Sequence, residues 1–76
     1  MQLLTETTAA DFAAFKSDFD GEAEARMQAG LTLLQMWREA EDPSKILCLF
    51  EVNDATRAAG WLTRARRFTG RFLNTA

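Results

Sequence analysis

The chain contains no histidine and a single cysteine, Cys48. One cysteine excludes an internal disulfide, and with no histidine present it also excludes the multi-cysteine and Cys/His zinc sites. Neither a metal nor a cofactor is predicted. No apolar run approaches the roughly 20 residues that span a bilayer, and the opening MQLLTETT has no basic stretch leading into a long apolar one. With one unpaired thiol, this predicts a cytoplasmic protein with no membrane segment. Internal repeats, low-complexity tracts and linkers are absent, so residues 1–76 read as one domain. A chain of this length buries only about 60% of its unfolded surface, and disulfides and metals are unavailable to supplement it. Self-association is the remaining supplement.

Acidic residues are also missing from one region. All 11 fall in residues 1–54, whereas residues 55–76 hold Arg57, Arg64, Arg66, Arg67 and Arg71 and no acid. A net charge of −2 therefore hides a cationic C-terminal quarter on an acidic body.

Along the chain, MQLLTE is a short strand candidate. The period then changes, and Phe12, Phe15 and Phe19 at i, i+3 and i+7 mark one helical stripe. Thr8 with Asp11 resembles a capping box. Asp20-Gly21 breaks or kinks this helix, and EAEARMQA forms a second piece closed by Gly30. Two apolar runs follow, residues 31–39 and 46–52, and Asp42-Pro43-Ser44 between them is turn chemistry, so they read as a hairpin. Asn53 or Asp54 caps the next helix, ATRAAGWLTRARR, whose apolar side is Ala58, Trp61, Leu62 and Ala65. Gly60 inside it costs about 1 kcal/mol relative to alanine, which a close helix-to-sheet approach would offset. The tail FTGRFLNTA is a weak fourth strand or an extended arm. The order β-α-β-β-α-β predicts an α+β, ferredoxin-like subunit, an antiparallel sheet with helices on one face.

The hairpin is apolar on both faces. Ile46, Cys48, Phe50 and Val52 alternate with Leu47, Leu49 and Glu51. In the other strand Leu31, Leu33, Gln35 and Trp37 alternate with Thr32, Leu34, Met36 and Arg38. Two helices cover one side of a four-stranded sheet, and the second side of an open antiparallel sheet is normally polar. An exposed apolar patch there marks an interaction site. Packing against a two-fold related copy buries it, with Leu31, Leu33, Trp37, Leu47 and Leu49 as the candidate interface. The alternative is that the tail folds across the open face.

The stretch MWREAEDPSKILCLFEVNDATRAAGWL resembles the dimeric α/β-barrel superfamily, which includes antibiotic-biosynthesis-monooxygenase-like proteins. The likeness covers roughly residues 30–62 and is structural: an aromatic strand, an Asp-Pro turn, an apolar strand ending in Phe-Glu-Val, and an Asp-initiated helix with small residues. It implies two ferredoxin-like subunits packed sheet to sheet, and a cavity for a small apolar ligand whose candidate lining is Met36, Trp37, Phe50, Glu51 and Trp61. The family holds cofactor-free oxygenases, isomerases and haem-degrading enzymes; the last use a histidine ligand that this chain lacks. No catalytic motif matches residue by residue.

Other groups have a plain reading beside the functional one. Cys48 could be a nucleophile, but no histidine is available to activate it, and a buried strand cysteine acts as a small hydrophobe. Met36 and Trp37, on opposite faces, read as packing residues before ligand contacts. Glu39, Glu41 and Asp42 cluster at the turn, where carboxylates are usually solvated. Glu51 among apolar neighbours needs a partner, and Arg38 on the adjacent strand is the expected one. RARRFTGR, with Phe68 and Phe72 for stacking, invites an anion or nucleic-acid reading. The sequence pI of about 5.0 argues against nucleic acid, and ion pairing with the acidic body explains the same charges.

Three functions follow: a dimeric ligand-binding or non-catalytic protein; a cofactor-independent monooxygenase or isomerase acting on a small apolar substrate; or an anion- or nucleic-acid-binding protein using the C-terminal arginines.

Overall fold

A computed structural model describes all residues, Met1–Ala76. Seven elements follow in order: β1 (Gln2–Thr8), α1 (Phe12–Gly21), α2 (Ala23–Gln28), β2 (Leu31–Arg38), β3 (Lys45–Val52), α3 (Ala55–Arg64) and β4 (Thr69–Leu73). The four strands form one antiparallel sheet in the order β2-β3-β1-β4. This is the ferredoxin-like α+β arrangement, with the first helix divided in two. No helix is long and apolar enough to cross a membrane.

Local chemistry explains most boundaries. Asp11 caps α1 by accepting from the Ala14 N–H at 3.1 Å, and Asp54 caps α3 by accepting from the Arg57 N–H at 3.0 Å. Thr8 is not the cap that the sequence suggests. It pairs with Lys45 as the last residue of β1, and the strand runs on because the next N–H, Ala9, donates to Ser44 O at 2.8 Å. The hairpin turn forms as expected: Lys45 N–H donates to Asp42 O at 3.0 Å. Ser44 Oγ, at 2.6 Å, and Ser44 N–H, at 3.2 Å, both donate to Asp42 Oδ1 and hold that carboxyl below the usual carboxylate range. α3 stops at Arg64, three residues short of the predicted RARR end, because Phe68 N–H turns back to Ala65 O and sends Phe68 into the core.

The helix-side face of the sheet carries Leu3, Thr5 and Thr7 from β1 and Ile46, Cys48, Phe50 and Val52 from β3, all buried. Against it pack Phe15 and Phe19 of α1 and Ala58 and Trp61 of α3. Five rings touch in a closed circuit: Phe15–Phe19 (centroids 5.7 Å apart), Phe19–Phe50 (6.4 Å), Phe50–Trp61 (6.0 Å), Trp61–Phe68 (5.5 Å) and Phe68–Phe15 (6.3 Å). Such pairs add about 0.5–1.5 kcal/mol each beyond their burial. The circuit joins α1, β3, α3 and the segment before β4.

Two glycines behave in opposite ways. Gly30 has φ +74°, and a Cβ there would collide with Asn53 Oδ1, while its own carbonyl accepts from Asn53 N–H at 2.9 Å. Gly60 needs no such freedom: a Cβ would meet only Arg64 Nη1 at 3.3 Å, the tip of an exposed, flexible side chain. The helix-to-sheet approach predicted for Gly60 is not what this position makes. In urea unfolding, Gly30→Ala is expected to destabilise by about 1–3 kcal/mol. Gly60→Ala is expected to stabilise by about 0.5–1 kcal/mol. Equal effects of the two substitutions would contradict this assignment.

Candidate functional site

The face of the sheet away from the helices is the surface that the packing leaves open. Cross-strand partners share a face, so the register lays it out in rows. Trp37, Leu47, Glu6 and Thr69 form one row across β2, β3, β1 and β4; Gln35, Leu49, Leu4 and Arg71 form the next; Thr32, Glu51, Gln2 and Leu73 form the third. Trp37, Leu47, Leu49 and Leu4 therefore make an apolar centre with polar residues around it. Trp37 is 45% exposed, and Leu4, Leu47 and Leu49 are half-buried.

The period-2 reading of β2 fails at one place. A bulge between Leu33 and Gln35 shifts the register, with Leu34 as the extra residue. Leu31 and Leu33 stand opposite Val52 and Phe50 on the helix side, and Leu31 is in the core. Beyond the bulge, Gln35 and Trp37 stand opposite Leu49 and Leu47 on the open face. Of the five candidate interface residues, the structure brings Trp37, Leu47 and Leu49 together on the open face and separates Leu31 and Leu33 from them. Leu4, Arg71 and Leu73 join that face, although no periodicity in the sequence marks them. Leu4 directly after Leu3 is the available signal, since two adjacent apolar residues in a strand must face opposite sides.

The five candidate pocket residues do not share a cavity. Phe50 and Trp61 are two members of the ring circuit, and Met36 packs beside the core opposite Cys48. Trp37 and Glu51 are on the other face, at different ends of the sheet. Glu51 accepts from Gln2 Nε2 at 2.8 Å and lies 3.9 Å from the terminal amine. The expected Glu51–Arg38 pair does not form: the register sets Thr32 opposite Glu51 and Arg38 opposite Ile46 at the other end of the hairpin, and the bulge turns Arg38 to the helix side. There its guanidinium lies 4.7 Å over the Phe12 ring and donates to Pro43 O at 3.3 Å. On the open face itself there is a depression of about 180 Å³ lined by Leu4, Glu6, Leu47, Thr69 and Arg71, among others.

Packing accounts for the two buried titratable groups. Burial pushes the Cys48 thiol up to about 11, against the smaller opposing effects of Thr5 and Arg26. The thiol is thus protonated near neutral pH and is no nucleophile. Arg26 lies buried with its guanidinium 3.5 Å over the Phe19 ring, and burial lowers its pKa. Of the two candidate stacking residues, Phe68 is buried in the ring circuit, while Phe72 stands opposite Leu3 on the helix side and stays partly exposed.

No family model matches this chain, and no curated protein matches it. It is similar in structure to a protein from Deinococcus radiodurans provisionally named an antibiotic biosynthesis monooxygenase, with a TM-score of 0.57 and 14% identity over 100% of this chain and 95% of the other. At that identity the likeness establishes the fold that the two share.

The buried thiol has a consequence for stability against pH. Its folded pKa lies above the unfolded 9.0, so the folded state holds its proton longer. Its contribution is complete below pH 9 and is lost as pH rises toward 11. Unfolding free energies between about pH 8 and pH 11 are expected to fall more steeply for the native sequence than for Cys48→Ala. Rapid modification of Cys48 by a thiol reagent in the folded protein at about pH 8 would refute the assignment.

Proposed function

We propose that this chain acts as a homodimer joined through its open sheet faces, in a ligand-binding or non-catalytic role. The observation that carries the reading is the position of Trp37. Nearly half of a large indole is exposed beside Leu47, Leu49 and Leu4, on a face that no helix or tail covers. Bringing a second copy onto it removes that apolar surface from water at about 25 cal/mol per Å². The surrounding Gln35, Glu6, Arg71 and Gln2 supply the polar rim that such interfaces have. The rims also carry both charge signs, so two copies can face each other without a single-sign clash.

A cofactor-independent monooxygenase or isomerase is the second reading, because the similar structure carries a monooxygenase name. Such an enzyme needs an enclosed space where polar groups converge on the substrate. Between helices and sheet that space is taken by the five rings, which favours the binding role. The depression beside Arg71 and Glu6 is the place a partner copy would roof over, and it is where a small ligand of the dimer would sit.

Light scattering at micromolar concentration is expected to give twice the 8.5 kDa chain mass. Leu49→Glu should give folded monomers, since it buries an unpaired carboxylate at the interface at a cost of several kcal/mol. A native chain that stays at 8.5 kDa removes the dimer. Oxygen uptake with a small phenolic substrate, above the buffer rate, would replace the non-catalytic reading with the enzymatic one.

A further inference from the structure

We propose that the groove between α2 and α3 is a binding site for a small molecule carrying a pyrophosphate group. The groove is on the helix side, away from the open sheet face, and has a volume of about 350 Å³. Its lining includes Ala25 and Ala29 of the α2 segment and Thr56, Arg57, Gly60 and Arg64 of α3. Gln28 completes it, so the lining holds two arginines and no carboxylate in a chain of net charge −2.

Gly60 is the observation that points to a ligand. A glycine inside a helix weakens it, and this one relieves no clash with the sheet or with a neighbouring helix, because outside its own helix backbone a Cβ would have only the Arg64 tip close by. Packing of the subunit therefore does not call for glycine here. What the missing side chain does is leave room at the floor of the groove for the Arg64 guanidinium, whose Nη1 lies 3.3 Å from where a Cβ would sit. Arg57, Gly60 and Arg64 recur at i, i+3 and i+7, one stripe of the helix. Seven residues rise about 10 Å, so the two flexible side chains can close from either side on an anion bearing two phosphoryl groups. Guanidinium forks match phosphate oxygens two at a time.

Arg64 makes no ion pair in the structure. Arg57 pairs only with its own cap residue, Asp54, at 3.5 Å and with 71% of its side chain exposed. Asp54 offsets part of the Arg57 charge, which places more of the binding on Arg64. A long polyanion fits less well than a small one. Arg71 belongs to the opposite face of the sheet, and Arg67 lies 5.4 Å over Phe15 and 3.9 Å from Glu22, so the cationic side chains form no continuous track.

The test is amide NMR titration of the labelled native protein at low ionic strength, with sodium pyrophosphate and with orthophosphate as probes. Saturable shifts at Gln28, Thr56, Gly60 and Arg64 are expected, with pyrophosphate the tighter. Arg64→Gln should weaken pyrophosphate binding by about tenfold, the loss of one charge-assisted pair. Gly60→Ala should weaken it while raising the melting temperature, a combination that general damage to the fold would not give. The proposal is overturned by shifts that do not saturate, by shifts centred on Arg66, Arg67 and Arg71, by Gly60→Ala and Arg64→Gln binding like the native chain, or by a short single-stranded oligonucleotide binding more tightly than pyrophosphate. The oligomeric state plays no part in these readouts, so the site and the dimer stand or fall separately.

Discussion

The closed circuit of Phe15, Phe19, Phe50, Trp61 and Phe68 is the contact on which the rest of the subunit depends. A chain this short has little apolar surface to bury, and it places five of its eight aromatic side chains at one point where α1, β3, α3 and the approach to β4 meet. Each ring has two ring neighbours in the circuit, so none can move without opening a gap beside another. Phe68 is the member that matters most for topology: by entering the core it ends α3 and turns the chain into the edge strand β4. Arginines surround the rings as well. Arg26, Arg38 and Arg67 lie over Phe19, Phe12 and Phe15, where cations meet the negative faces of the π systems while their stems add cover.

That solution has a consequence for function. With the rings occupying the layer between helices and sheet, the interior holds no room for a substrate. The depressions that remain are on the outside, on the uncovered face of the sheet and between α2 and α3. The subunit is a solid scaffold carrying two unlike surfaces, one apolar with a mixed polar rim and one cationic and lined by small residues.

Much of this is readable in the sequence because the signals are local. The Phe12, Phe15, Phe19 spacing, the Asp42-Pro43-Ser44 turn and the Asp54 cap each depend on residues within a turn or two of one another. The strand pair around the turn follows from its two apolar runs. What the sequence does not reveal depends on distant partners. The bulge at Leu34 exists only in the pairing of β2 with β3, and it moves Leu31 and Leu33 to one face and Trp37 to the other. The antiparallel register likewise leaves Arg38 at the far end of the hairpin from Glu51, which finds Gln2, a residue 49 positions away. Thr8 reads as a cap from its neighbours, yet its backbone pairs with Lys45 across the sheet. β4 looks weak by itself because its polar residues form a strand only against β1.

The cationic C-terminal quarter shows how a run of charge in sequence differs from a patch in space. Successive residues of a helix are rotated by about 100°, and a strand reverses side at each step. Arg57 and Arg64, seven apart, therefore return to one stripe, while Arg66 and Arg67 lie beyond the helix end. Arg67 is drawn to Phe15 and Glu22, and Arg71 crosses with β4 to the open face of the sheet. Five arginines that look like one basic segment are thus divided among a helical groove, an aromatic contact, a solvated turn and a sheet surface. An acidic protein can carry them without acquiring the continuous positive track that a nucleic acid would need, and each retains a short-range field suited to a small anion or a neighbouring carboxylate.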